Sequence, residues 1–166
     1  QPAQFAPDRI TREVTALVES RFPAHPGSLA DFGWPVSRAD ALRALRDFVD
    51  HRLSRFGDTQ DAMWSGMPFG WHSLLSAALN LKLLNPREVI AAATTAWHEG
   101  RAPLAGVEGF VRQILGWREY IRGVYWLEMP GMLNANHFGY ERALPAWFWT
   151  GDTEMNCLRE SINQTL

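Results

Sequence analysis

Apolar residues recur along this chain at spacings of three and four, and no segment shows convincing alternation. Residues 10–22, "ITREVTALVESRF", place Ile10, Val14, Leu17 and Val18 on one helical face. The stretch "PAHPGSLADFGWP" (23–35) has three prolines and two glycines and predicts irregular backbone. Ser37 then opens "SRAD", an S-x-x-D capping box. After it, Leu42, Leu45, Phe48, Val49 and Leu53 form one stripe, with arginines on the other faces. Residues 55–70, "RFGDTQDAMWSGMPFG", read as a loop. Residues 70–84, "GWHSLLSAALNLKLL", are apolar nearly all round and predict a buried helix.

The second half continues in helical periods. "NPREV" predicts a fresh start, with Asn85 as N-cap, Pro86 at N1 and Glu88 at N3. Val89, Ile90, Ala93 and Trp97 make its inner face, and "EGRAPLAG" ends it. A helix follows over about 105–125 and contains "EGFVRQILGWREYIRGVYW" (108–126). A long loop over 128–145, "AWFWTGD" and a last helix from about 153 complete the reading. The fold class is therefore all-α. A lead-in helix and Pro/Gly-rich connector occupy 1–36, and a helical body occupies 37–166.

Composition adds limits. The 166 residues suffice for one domain with a sizeable core. A net charge of −2 gives no whole-domain nucleic-acid footprint, so any such surface must be a local patch. The lone cysteine, Cys157, excludes an internal disulfide. No apolar run approaches the roughly 20 residues of a membrane-spanning helix, and the start has no signal-peptide pattern. The chain begins without Met and stops within a helical pattern at "RESINQTL", so a longer polypeptide is expected. No spacing among the five histidines suits zinc, and no P-loop, G-x-S-x-G or G-x-G-x-x-G pattern occurs.

Three places carry candidate chemistry. On the helix over 105–125, Phe110, Ile114, Trp117 and Ile121 share a face. Gly116 stands beside Trp117, where a mid-helix glycine costs about 1 kcal/mol against alanine, so a close approach is expected there. This helix is either a packed element with a solvated charged edge, Glu119 pairing with Arg122, or one wall of a polar-aromatic cavity formed by Gln113, Trp117 and Arg118. "WHSLLSAAL" (71–79) puts His72, Ser73 and Ser76 at a helix N-terminus. That end is either plainly capped or able to take a phosphate. Trp147 and Trp149 flank Phe148, ten and eight residues before Cys157. They serve packing or relay electrons, and the single cysteine is a small hydrophobe or one ligand of a larger set.

Two of these stretches together resemble one family. "GWHSLLSAALNLKLLNP" (70–86) is similar to the flavin-phosphate segment of photolyases and cryptochromes, T-S-x-L-S-P-x-L, and "RQILGWREYIRG" (112–123) is similar to their W-R-E-F helix. With "LNLKLLNPREV" and "WTGDTEMNC", the chain resembles the iron–sulfur bacterial branch, the prokaryotic (6-4) photolyases and related cryptochromes, over about residue 10 to the end. The resemblance implies a multi-helix FAD-binding domain of the photolyase/cryptochrome type, of which residues 37–166 are the N-terminal part. An α/β antenna domain with its chromophore is expected before it.

By position, the resemblance implies that Ser73, Leu75 and Ser76 contact the flavin phosphates, with His72 standing where the wider family has threonine. Arg118 matches the arginine lying against the flavin, and Trp117 the tryptophan packing on the flipped-out lesion. Gln113 or Ile114 stands near the lesion-reading glutamate, because "QILGW" is one residue longer than the family's E-L-x-W. Trp149 matches an electron-transfer tryptophan. Cys157 matches the first of four 4Fe–4S cysteines, the other three being expected beyond this chain.

The implied activity is light-driven repair of UV pyrimidine lesions, most of all (6-4) photoproducts, by electron transfer from reduced flavin to a flipped lesion. Arginines 38, 43, 46, 52, 55, 112 and 122 are candidates for a local phosphate patch. The alternatives are a cryptochrome-type photoreceptor without repair and a helical DNA-binding module without cofactors. A cytoplasmic monomer acting on UV-damaged DNA, with no membrane partner, is expected.

Overall fold

Helix boundaries follow the caps that the sequence supplies. The computed structural model describes residues 2–62, 64 and 66–165. Among them all regular structure is helical. The backbone groups into two compact units, residues 2–5 with 34–134, and residues 6–33 with 135–165.

The larger unit begins with α2 (Arg38–His51); α1 (Arg9–Arg21) belongs to the smaller one. Ser37 caps α2 as expected: its Oγ accepts from the Asp40 N–H at 3.1 Å. The reciprocal bond differs, because the Ser37 hydroxyl donates to Asp40 Oδ2 at 2.9 Å. Aspartate is one methylene shorter than the glutamate of the usual capping box and does not reach back to the cap N–H.

Leu45, Phe48 and Val49 of this helix are buried, with Leu53 just beyond it. The chain breaks at Arg52 and resumes at once as α3 (Leu53–Thr59). The loop expected from residue 55 therefore starts only after Thr59; Met63 and Ser65 within it lie outside the described residues.

The reason is Gly57. It is a contact glycine, not a turn glycine. A Cβ there would stand 2.5 Å from the Ala105 carbonyl, on a later helix. That partner is α6 (Leu104–Arg112), and its Gly106 in turn faces the Leu53 carbonyl with no room for a Cβ. The two glycines let α3 and α6 approach backbone to backbone. Phe48, Phe56 and Phe110 close over this seam with ring centroids 4.7–6.1 Å apart.

The expected helix over 70–84 is replaced by one turn, α4 (Ser76–Asn80). Arg52 Nε donates to the His72 carbonyl at 3.2 Å. A helix starting at residue 70 needs that carbonyl for its own ladder. Leu74 then takes φ 58°, and Lys82 takes φ 63° at the other end. At Lys82 the Leu83 N–H reaches the Ala78 carbonyl (2.9 Å) and the Lys82 N–H reaches the Leu79 carbonyl (3.2 Å). This Schellman stop uses lysine where glycine is usual. The apolar content is still buried, through Leu75, Ala78, Leu79 and Leu84.

Asn85 and Glu88 make the predicted capping box, with Pro86 in the first turn of α5 (Pro86–His98). Arg38 grips Glu88 with both terminal nitrogens at 2.9 Å and also donates to the Leu83 carbonyl at 2.7 Å. The Arg38 guanidinium, then the Asn85 N–H, lowers the Glu88 carboxyl to about 2. Val89, Ala93 and Ala96 face inward, whereas Trp97, expected on that face, is exposed.

In the smaller unit, Asp8 caps α1 by accepting from the Thr11 N–H at 2.7 Å. The stripe Ile10, Val14, Leu17 and Val18 has the expected spacing but is exposed. The last helix starts later than expected. A turn α8 (Trp147–Thr150), stopped by Gly151 at φ 69°, precedes α9 (Asn156–Asn163). Here α7 names the helix Glu119–Glu128 of the larger unit. No helix is long and apolar enough to cross a membrane, among the described residues.

Candidate functional site

The helix expected over 105–125 runs from Leu104 to Glu128, but not as one α-helix. Between α6 and α7, residues Gln113–Arg118 form a π turn, in which the Glu119 N–H reaches back to the Ile114 carbonyl. A π turn accommodates one residue more than an α-turn and often marks functional positions. It falls on "QILGW", the place where the sequence is one residue longer than the pattern it resembles.

The turn also resets which side chains face inward. Phe110 and Ile114 remain buried, while Trp117 (62% exposed) and Ile121 (57%) turn outward. Ile121, expected in the core, is therefore a surface residue. Gly116 does not make the close approach expected of it: a Cβ there would meet only Arg112 Cγ, at an ordinary 3.5 Å. The glycines that do so, Gly57 and Gly106, lie elsewhere.

Of Gln113 and Ile114, only Gln113 offers a side chain to solvent. It lies five residues before Arg118, one π turn away, and four before Trp117. Arg118 Nη1 donates to Asn80 Oδ1 at 2.8 Å. This bond ties the π turn to the last residue of α4, so the two stretches singled out in the sequence meet. Asn80 itself was missed, since nothing in "AALNLK" distinguishes it from a polar surface residue.

Around α4 the donors differ from expectation. A helix of one turn carries little dipole, so the macrodipole argument for an anion loses its main term. What remains is side-chain chemistry. The Ser73 hydroxyl oxygen lies 3.4 Å from the Leu75 N–H as a weak acceptor. Ser76 is exposed. Leu75 is 1% exposed, so its side chain is core and only its backbone can reach a ligand. His72 is held through its carbonyl by Arg52, and its exposed ring meets Phe56 edge-on at 6.1 Å.

The arginine candidates divide sharply. Arg38, Arg43, Arg52, Arg112 and Arg122 are each paired with a carboxylate: Glu88, Asp40, Asp47, Glu108 and Glu119 respectively. Arg52 is buried, with Nη1 2.6 Å from Asp47, and acts as a clamp. The expected Glu119–Arg122 surface pair is present at 2.7 Å, and Arg122 holds the Glu119 carboxyl below its ordinary range. Arg46 is exposed without a carboxylate, and Arg55 lies over the Trp71 ring at 5.0 Å.

In the smaller unit, Trp149 is 69% exposed, and Trp147 stacks on Phe148 at 4.0 Å. Cys157 is free and exposed. A single thiol does not make up a four-thiolate cluster, and the described residues contain no group of three or more metal-ligating side chains. The residues present do not by themselves fit 4Fe–4S. The hydroxyls of Ser73 and Ser76 could donate to a phosphate, on the stretch that Arg118 reaches through Asn80.

The chain also matches known proteins. The family described as "Deoxyribodipyrimidine photo-lyase-related protein" matches residues 1–34. The chain is 52% identical over 162 residues, 98% of its length, to a protein named (6-4) photolyase from Agrobacterium fabrum, and spans 32% of that protein. It is 33% identical over 95 residues to an uncharacterized protein of Acanthamoeba polyphaga mimivirus, covering 57% of this chain and 72% of the viral one. The chain thus spans about a third of the length of its photolyase relative.

Proposed function

The chain belongs to the deoxyribodipyrimidine photolyase-related family, and on that premise we propose that it forms part of the flavin-binding body of a light-driven DNA repair enzyme acting on (6-4) photoproducts. The observation that carries this reading is the Arg118–Asn80 bond. It joins "WHSLLSAALN" to "GWREY", the two segments that resemble the family's flavin motifs.

On this reading the Ser73 and Ser76 hydroxyls and the Leu75 backbone hold the FAD phosphates, with His72 at the rim. A bound, reduced flavin supplies the electron for repair when excited by light. The chain's own residues bind, orient and exclude water. Arg118, fixed by Asn80, sets a positive charge beside the electron-rich ring. Trp117, exposed on the π turn, stacks against a base that has left the helix. Gln113 offers an amide, donor and acceptor at once, to the edge of the lesion. A damaged pair costs less to flip, so stacking and one amide suffice to hold it.

Trp149 serves electron delivery to the flavin. Cys157 would supply one thiolate of a 4Fe–4S cluster, whose other three ligands would have to come from outside this chain. Contact with the duplex phosphates falls to Arg46 and Arg55, the two candidate arginines without a carboxylate partner among the described residues.

The test is repair of a (6-4)-lesion oligonucleotide under blue light by the full-length protein. Restoration of the bases is expected. A flavin-loaded protein that repairs nothing is a photoreceptor instead, and one purified without flavin is a DNA-binding helical module.

A further inference from the structure

Three arginines follow one another along the helix from Leu104 to Glu128, and the middle one is treated differently. Arg112 is tied to Glu108 and Arg122 to Glu119, both carboxylates of the same helix. Arg118 between them is tied to a neutral amide, Asn80, 38 residues away in sequence. A carboxylate partner cancels a guanidinium's charge and takes up to two of its five N–H groups. An amide oxygen takes one N–H and leaves the charge whole.

Asn80 is itself well anchored. It closes α4 between the buried Ala78 and Leu79 and the Schellman stop at Lys82. Arg118 is the last residue of the π turn, whose extra residue sets where the guanidinium begins. The charged neighbour on its own element, Glu119, is engaged by Arg122 at 2.7 Å. Both ends of the bond are thus fixed by backbone, and Glu119, whose carboxyl feels the Arg118 charge, gives its hydrogen bond to Arg122 instead.

We propose that Asn80 is a positioning residue, which holds the Arg118 guanidinium through an amide rather than a carboxylate, so that its positive charge serves the electron-rich ring of a bound flavin. The inference rests on the flavin-binding reading above and adds to it the residue that aims the arginine. An aspartate in place of Asn80 keeps the hydrogen bond and cancels the charge. An alanine keeps the charge and releases it.

The experiment uses full-length protein with bound FAD. Asn80→Asp is expected to lower the preference for reduced over oxidised flavin about tenfold, about 30 mV on a two-electron couple, with flavin content unchanged. Asn80→Ala is expected to weaken FAD binding several-fold with a smaller change in potential. A midpoint potential in Asn80→Asp equal to that of the parent overturns the proposal, even if the variant melts earlier.

If the parent protein holds no flavin, the functional reading itself fails. The pairing is then judged by thermal melts of Asn80→Ala, Arg118→Gln and the double variant. Additive losses overturn it; a double loss no larger than either single one upholds the bond.

Discussion

Phenylalanine and tryptophan serve opposite ends in two regions of this chain. Between Arg38 and Ile114, Phe48, Phe56 and Phe110 are at most 5% exposed and meet ring to ring across the α3–α6 seam. From Trp117 onward, Trp117, Trp126 and Trp149 are 62–74% exposed, and α7, α8 and α9 contain no buried residue. The three phenylalanines of the first region pack, each buried side chain stabilising by about 1.5–3 kcal/mol. The second leaves large apolar surfaces that contribute little to the fold, as expected of positions meant to meet a ligand or another part of a protein. Ring content alone therefore does not mark a site, since Trp64 and Trp97 are exposed before the π turn as well.

The comparison can be broken most readily in the packed region. Phe48→Ala removes a ring with no exposed surface and is expected to cost about 4 kcal/mol in urea unfolding. Gly106→Ala drives a methyl at the Leu53 carbonyl and is expected to cost about 3 kcal/mol, since backbone on both sides must shift. An unchanged midpoint for either variant would refute the backbone-to-backbone seam.

Glu88→Gln loosens the Arg38 grip and the α5 cap together, for about 1 kcal/mol. Its pH signature is specific. The Glu88 carboxyl is lowered from 4.5 to about 2 in the folded protein. The native state therefore releases this proton more readily than the unfolded chain. The stabilisation is fully present above pH 4.5 and fades as pH falls through about 2. Melting curves of parent and Glu88→Gln should converge in acid; a gap that persists at low pH assigns the loss to another cause.

The smallest stability effect belongs to the exposed region. Trp149→Phe is expected to change unfolding by less than about 0.5 kcal/mol while slowing flavin photoreduction in the full-length protein. Equal photoreduction removes Trp149 from the electron path. A large stability loss would mean that its ring packs in the whole protein.

Much of the architecture was legible. Ser37, Asn85 and Pro86 announce helix starts because capping is local chemistry, satisfied within three residues. The stripe from Leu45 to Leu53 is buried as its period implies. The candidate site was legible in part, since its two segments could be picked out but their junction could not. Asn80–Arg118 and Arg52–His72 are pairs that no local pattern encodes. The π turn hides in the helix pattern, because one added residue leaves the apolar spacing nearly intact while rotating all that follows.

By itself, then, the sequence determined an all-helical chain, its caps, and the two segments that resemble the family's flavin motifs. Only the tertiary structure decided that "GWHSLLSAALNLKLL" is one turn between two left-handed residues, because a distant arginine takes the His72 carbonyl. It also decided that Gly57 and Gly106, not Gly116, permit close approach, and that Arg118 is aimed by Asn80. Periodicity and capping are written in neighbours along the chain. Which carbonyl, glycine or guanidinium finds a partner is decided by residues brought together from dozens of positions away.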